Sequence, residues 1–278
     1  MLFGIPDQSP TLLARTVRAG RLRWLHTMAA GGGGQVRAAG LSPDEMRRVV
    51  FTTSAGVHAG PLAEFAVFGL LAGAKRLPHL LELNAGHRWS SHFRMAQLRD
   101  QTVVVLGLGG IGTETARLLS ALGTRVLGVR RRPEPCEYAE SVHGIDALPG
   151  LLAQADGVVV TLPGTAYTDK LLDRAMFTAM KPGTVLVNVG RGTVVDEDAL
   201  VDALRSGQVG SAYLDVTAVE PLPPDSPLWT LPQVVVSPHT AAIDPGNRVR
   251  VAHLFADNLR RFVGGEPLRN VVDPVHFY

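Results

Sequence analysis

Short apolar runs alternate along this chain with stretches whose apolar residues recur at helical spacing, a pattern that predicts strands and helices in succession. MLFGIP opens as a strand, TLLARTVRAG predicts a short helix closed by Gly20, and LRWLHTM is the next strand. Ala29 to Gly34, AAGGGG, predicts a loop whose backbone can approach a small ligand closely. Ser42, Pro43, Asp44 and Glu45 start another helix with the cap before the proline, and VVFTTS follows as a strand. From Pro61 to Leu83 the chain predicts a long helix interrupted at Pro78. Being apolar on nearly every face, it is expected to be buried between domains or in a dimer interface.

The second half repeats the alternation. Val103 to Leu106 and Thr124 to Val129 read as buried strands, followed by a strand near Gly157 to Leu162 and a helix near Asp173 to Met180. TVLVNV, SAYLDV and QVVVSPH are further strands, and DEDALVDALRSG is a helix. Such alternation predicts an α/β fold with a doubly wound parallel sheet, which binds ligands at the carboxyl ends of its strands.

Gly107, Gly109 and Gly112 form G-x-G-x-x-G between the Val103 strand and the helix that follows, and with Gly110 and Ile111 they are the expected cofactor-binding turn. The first glycine allows a tight turn, the second lets a pyrophosphate near the backbone, and the third allows close packing of the helix. The helix N-terminus then points its unpaired N–H groups at the phosphate. A dinucleotide site reads the adenosine ribose roughly twenty residues further on. At that place stand Arg130, Arg131 and Arg132, which suit a 2′-phosphate and do nothing for a free hydroxyl. The expected cofactor is NADP(H), with NAD(H) possible.

Composition narrows the class. With 278 residues, 46% of them hydrophobic, the chain can build one or two substantial cores. A formal charge of +2, with basic residues scattered outside the Arg130 turn, does not suggest a nucleic-acid partner. The single cysteine, Cys136, forms no intramolecular disulfide and fits a reducing compartment, and no metal-ligand spacing is present. MLFGIPDQ lacks the features of a signal peptide, and the apolar stretch near Leu62 to Ala74 is too short to span a bilayer. The expected location is cytoplasmic, with no membrane partner.

Three strand ends carry candidate chemistry: Arg191 after TVLVNVG, Glu220 after SAYLDVTAV and His239 after VVVSP. The segments holding them, NVGRGTVVDEDALVDALRSG, LDVTAVEPLPPDSPLW and VVVSPHTA, resemble signature segments of the D-isomer-specific 2-hydroxyacid dehydrogenase family, in order and spacing. The glycine motif, HAGPLAEFAVFGLLA, ADGVVVTLPGTAYTDKLLD and GGEPLRNVVDP are similar to it too, so the resemblance covers nearly the whole chain.

The resemblance implies two Rossmann-like domains. A substrate domain, flavodoxin-like, would comprise residues 1–58 and 243–278, with a dinucleotide-binding domain inserted as 59–242. It also implies a homodimer joined through the dinucleotide domains, and Arg191, Glu220 and His239 as the catalytic arginine, glutamate and histidine. In these roles Arg191 would hold the carboxylate of a 2-oxo acid, His239 would donate the proton, and Glu220 would orient the imidazole and raise its pKa. By the same resemblance Thr168 would help bind the pyrophosphate, while Leu162 and Pro163 would pack near the cofactor. The backbone at Val189 and the side chain of Asp215 would hold the nicotinamide carboxamide. Ala30, Gly31 and Gly32 would hold the substrate carboxylate together with Arg191.

Departures from the family pattern shape the expectation. Trp24 is followed by Ala30, Gly31, Gly32 and Gly33 where relatives read W-x-x-x-x-x-A-G-V-D, so the substrate loop is expected to be less preorganised. Gly164 stands where a side chain is common. The arginines at 130 and 131 place the chain near glyoxylate and hydroxypyruvate reductase-like members. Residue 1 already lies in what resembles the second strand of the family, so the substrate domain is expected to lack its first βα unit. The expected activity is reduction of small 2-oxo acids to D-2-hydroxy acids. The alternative is a dimeric nucleotide-binding regulator of the same fold with vestigial turnover.

Overall fold

The computed structural model describes residues 2–4, 9–30 and 33–273. The chain divides into two compact units, Met1–His58 with Asp244–Tyr278, and Ala59–Ile243.

In the first unit, β1 (Leu2–Phe3), α1 (Pro10–Arg18), β2 (Trp24–His26), α2 (Gly33–Ala38), α3 (Pro43–Arg48) and β3 (Val50–Thr52) follow one another. The strands form a parallel sheet in the order β1-β2-β3. Ser42 caps α3 in a reciprocal capping box with Glu45, and Pro43 takes the first turn, where its missing N–H costs nothing. Gly33 and Gly34, expected in a loop, instead open α2. A glycine run does not prevent a helix where the following residues bury a face, and Val36 is fully buried.

Trp24, Leu25 and Phe51 fill the centre of this unit, with Trp24 stacked on Phe255 and Phe262. His26 is buried beside them. Its Nδ1 lies 2.8 Å from the Thr52 hydroxyl and its Nε2 3.2 Å from that of Ser54. Trp24 Nε1 donates to the same Thr52 oxygen at 2.9 Å. Burial holds the imidazole pKa down at about 4, because charging it there would forfeit hydration. At the unit's margin Arg250 donates to the Val57 carbonyl and grips the Asp244 carboxylate, tying together the two points where the chain leaves this unit.

Helix α10 (Asn247–Gly264) lies in the same unit and has no counterpart in the pattern-based expectation. Val251, Leu254, Phe255, Leu259 and Phe262 recur along it at helical spacing, and Phe255 and Phe262 are the rings stacked on Trp24.

The second unit runs α4 (Ala59–Ala74), α5 (Leu77–Ala85), β4 (Thr102–Leu106), α6 (Gly110–Ala121), β5 (Arg125–Val129), β6 (Ser141–His143) and α7 (Leu148–Leu152). It continues with β7 (Gly157–Val160), α8 (Arg174–Ala179), β8 (Thr184–Asn188), α9 (Glu197–Ser206), β9 (Val209–Leu214) and β10 (Val234–Val236). The described strands make one parallel sheet in the order β10-β9-β8-β7-β4-β5-β6. Chain order reverses between β4 and β7, the switch point of a doubly wound sheet.

Both faces are covered, which is why the central strands read as continuous apolar runs. Val104, Leu106, Leu127, Val158, Leu186 and Leu214 point into one core, which also contains Leu148, Leu152, Phe177 and Leu200 from α7, α8 and α9. Val103, Val105, Val126, Val159 and Val187 point into the other, with Ala66 and Leu70 of α4 and Ala116 and Leu119 of α6. The apolar helix expected from Pro61 to Leu83 is two helices. Its break comes at Lys75 and Arg76, where Arg76 is left-handed at φ +54°, while Pro78 sits in the first turn of α5. Among the described residues, no helix is long and apolar enough to cross a membrane, and no cluster of three histidine, cysteine or acidic side chains is placed to hold a metal.

Candidate active site

Every strand of the second unit that carries candidate chemistry ends on the same edge of the sheet. The sequence dictates this, because each apolar strand gives way directly to a glycine or a polar residue.

After β4 the chain turns at Gly107, left-handed at φ +108°. Its N–H donates to Val129 O, and its carbonyl accepts from the Thr161 hydroxyl at 2.7 Å. A side chain at Gly112 would place its Cβ 1.7 Å from the Gly107 carbonyl oxygen, so only glycine lets α6 start this close to the turn. At Gly109, by contrast, an added Cβ would meet nothing within 4 Å. Gly110 is exposed, and Ile111 is partly buried against the core. The turn therefore presents open backbone and the N-terminus of a 12-residue helix on one side, an arrangement that fits a dinucleotide pyrophosphate.

After β5, Arg130 donates its backbone N–H to His143 O and pairs its guanidinium with Glu134 Oε2 at 3.0 Å. Arg131 is exposed beside it. Strand β6, unanticipated from the sequence, flanks this turn; its three residues are all partly exposed, so no apolar run marks it.

After β7, Leu162 packs partly against the core and Pro163 is exposed. The Thr168 hydroxyl closes this loop, donating to Pro163 O at 2.7 Å and accepting from Thr165 N–H at 2.9 Å. At Gly164 a Cβ would come within 2.9 Å of the Thr193 hydroxyl and 3.3 Å of Arg191 Cβ, so Thr193 already occupies the space a side chain would need.

After β8, Val189 is buried and its N–H donates to Val160 O. Asn188 staples the turn: its Oδ1 accepts from Gly190 N–H at 3.0 Å and its Nδ2 donates to Arg191 O at 3.1 Å. This buried asparagine was not among the expected site residues, because its work is visible only once the turn is folded. Arg191 is exposed, with Nη1 donating to Gly190 O at 2.7 Å.

After β9, Asp215 is 2% exposed, and its Oδ1 accepts from both Thr240 N–H and Ala241 N–H at 2.9 Å. It thereby fixes the loop after β10. That loop carries His239, which is left-handed at φ +55°, a costly conformation for a residue with a Cβ. Its N–H donates to Asp215 O and Ser237 O. His239 Nδ1 lies 2.7 Å from Glu220 Oε2, and the two side chains are 49% and 38% exposed. The other carboxylate oxygen of Glu220 accepts from Thr217 N–H at 3.1 Å. An imidazole steered at Nδ1 in this way presents Nε2 for proton transfer.

Of the residues expected in the site, the structure thus brings Glu220 and His239 into direct contact and sets Arg191 at the end of the strand next to theirs. Of the expected substrate loop, Ala30 is an exposed turn residue of the first unit, while Gly31 and Gly32 lie outside the described residues.

Residues 67–241 match the family described as D-isomer specific 2-hydroxyacid dehydrogenase, NAD binding domain. The chain belongs to the D-isomer-specific 2-hydroxyacid dehydrogenase family. Among curated members, the human glyoxylate reductase/hydroxypyruvate reductase is 38% identical over 211 residues, covering 74% of this chain and 64% of that protein. Among solved structures, a D-isomer specific 2-hydroxyacid dehydrogenase from Xanthobacter autotrophicus Py2, in complex with NADPH and MES, is 35% identical with a TM-score of 0.85. The match covers 96% of this chain and 82% of that one. An NADPH-dependent glyoxylate/hydroxypyruvate reductase from Sinorhizobium meliloti, in complex with NADP and sulfate, is 28% identical with a TM-score of 0.86, covering 97% of this chain and 84% of that one. The chain therefore shares the two-domain dehydrogenase fold with its Rossmann nucleotide-binding domain, and its relatives include oxidoreductases of 2-oxo acids.

Proposed function

We propose that this dehydrogenase-family chain reduces small 2-oxo acids, with glyoxylate and hydroxypyruvate leading, to 2-hydroxy acids of D configuration where C2 is a stereocentre, using NADPH in preference to NADH. The observation that carries the reading is the 2.7 Å contact between Glu220 and His239 Nδ1 at the carboxyl edge of the sheet, beside the turn that ends in Arg191.

The turn at Gly107, Gly109 and Gly112 and the N-terminus of α6 hold the pyrophosphate, and Arg130 with Arg131 takes the 2′-phosphate. When bound, the nicotinamide supplies a hydride to C2 of the substrate. Arg191 grips the substrate carboxylate and polarises the carbonyl, placing positive charge where negative charge develops. As the carbonyl electrons move onto oxygen, His239 Nε2 gives up its proton to that oxygen and completes the alcohol. Glu220 holds the ring and balances the charge of the imidazolium. In the oxidative direction His239 is the base.

We further infer that two copies of the chain form a homodimer joined through the nucleotide-binding unit. The segment after α5 supports this: Trp89 is 100% exposed, with Met95 and, on α5 and α4, Leu81, Phe68 and Leu71 also exposed. Hydrogen bonds from Arg88 N–H to Leu83 O and from Ala96 N–H to Ala74 O pin this segment at both ends. A tryptophan held out in water on a pinned segment is suited to burial against a second copy.

The test is oxidation of NADPH and NADH by the purified chain with glyoxylate, hydroxypyruvate, pyruvate and phenylpyruvate. Turnover is expected with the small acids and NADPH. Tight NADPH binding without turnover on any of the four would favour the nucleotide-sensing regulator instead.

A further inference from the structure

The turn that carries Arg191 and the loop that carries Glu220 touch at two places. At Gly192 an added Cβ would fall 1.9 Å from the Thr217 carbonyl carbon and 2.4 Å from Ala218 N, so the two backbones lie against each other with no room for a side chain. Five residues further on, Glu197 begins α9 and its Oε1 accepts from Ala218 N–H at 2.6 Å.

Two successive amides of one loop are thus held by two different carboxylates. Thr217 N–H is taken by Glu220 and Ala218 N–H by Glu197. The Thr217 hydroxyl closes the same loop onto Val219 O at 2.8 Å. Beyond it, Glu220 reaches His239. An acid in the first turn of a helix is favoured by the helix dipole, but that favour is satisfied by a carboxylate in water. Glu197 is instead drawn in to the neighbouring loop. Burial raises its carboxyl above the ordinary range, the Ala218 N–H opposes that rise, and the charges of Asp198 and Glu220 add to it. A carboxylate kept at such a place has its compensation in the loop it holds.

We propose that Glu197 is a positioning residue for the proton donor: by binding Ala218 N–H it fixes the Thr217–Glu220 loop and, through Glu220, the orientation of the His239 ring. This rests on the reading of His239 as the proton donor. Because Glu197 and Arg191 belong to one continuous segment, the carboxylate-binding arginine and the proton donor are set by the same stretch of chain.

The experiment uses the full chain with Glu197→Ala and Glu197→Gln, read by kcat and KM for glyoxylate, NADPH affinity, and the ring N–H resonance of His239 assigned by its loss in His239→Ala. Glu197→Ala is expected to lower kcat about tenfold, the cost of one misplaced charge-assisted hydrogen bond, with NADPH affinity unchanged. It should also broaden or shift the His239 resonance. Glu197→Gln keeps an acceptor for Ala218 N–H and should restore both kcat and the resonance. Should Glu197→Ala fail to fold, Glu197→Asp, which retains the charge but not the reach, replaces it with the same expectation. An unchanged kcat and resonance in the shortened variant, or a Gln variant as impaired as Ala, would overturn the proposal. If the wild-type chain turns over none of the four 2-oxo acids, the functional reading fails, and the resonance alone decides whether Glu197 positions the ring.

Discussion

The two ends of the same sheet edge are built in different ways. Beyond β8, β9 and β10, buried Asn188 and Asp215 each bind two main-chain groups, and the loops they hold carry Arg191 and His239. Beyond β5, the arginine expected to choose the cofactor rests on one ion pair with Glu134, itself mostly in solvent. Proton transfer requires a donor placed within a fraction of an ångström, and the fold supplies that placement from its core. In the proposed reading cofactor discrimination needs only a charge of the right sign, which Arg130 and Arg131 would supply without support from the core. Substitutions at the first end should therefore cost much, and those at the second should be graded.

The largest expected effect is at the proposed proton donor. His239→Ala should lower kcat by roughly 10²- to 10⁴-fold while NADPH affinity, measured by fluorescence titration, is retained. Near-normal turnover would remove the difference between the two ends. Next is the scaffold beneath it. Asp215→Ala removes the carboxylate that holds the partly buried Thr240 and Ala241 N–H groups and should cost about 1.5–3 kcal/mol of stability by urea denaturation, with a loss of kcat beyond any loss of folded protein.

Acid should act elsewhere. His26, in the first unit, has its pKa lowered to about 4 from 6.5, so between these values the unfolded chain binds more protons than the folded one. Stability is then complete above about pH 6.5 and declines as pH falls toward 4, by about 2–3 kcal/mol. Melting temperatures from pH 7.5 to 4.5 should show this slope in the wild type and a flatter one in His26→Gln. The gentlest case is the nucleotide-selecting end. Arg130→Asp should weaken NADPH by about 1.5–3 kcal/mol, the scale of a hydrogen bond to a charged group, and leave NADH nearly unaffected. An unchanged preference between the two would move the phosphate reader to Arg131.

How legible each end was in the sequence follows from the same contrast. The glycine turn could be read because its requirements are local: one left-handed residue and one close helix start, at Gly107 and Gly112. The strand ends could be read because the central strands are buried on both faces and announce themselves as apolar runs. Asn188 could not, since its value lies in two hydrogen bonds made only after the turn has formed. For Asp215 the family resemblance implies a ligand of the nicotinamide, while the hold of its Oδ1 on Thr240 and Ala241 depends on a loop 25 and 26 residues away. Strand β6 leaves no pattern because its three residues are all partly exposed, whereas the apolar residues of α10 do recur at helical spacing and the expectation stops short of them; the helix break falls at Arg76 rather than at Pro78, which a first helical turn accommodates.

In the proposed reaction Glu220 and His239 work as one unit. A cycle of Glu220→Ala, His239→Ala and the double variant, followed by kcat for NADPH-dependent reduction of glyoxylate, tests it most directly. The double variant should be no slower than His239→Ala alone, because Glu220 acts only through the imidazole. Losses that multiply in the double variant, or a Glu220→Ala enzyme as fast as wild type, would contradict it.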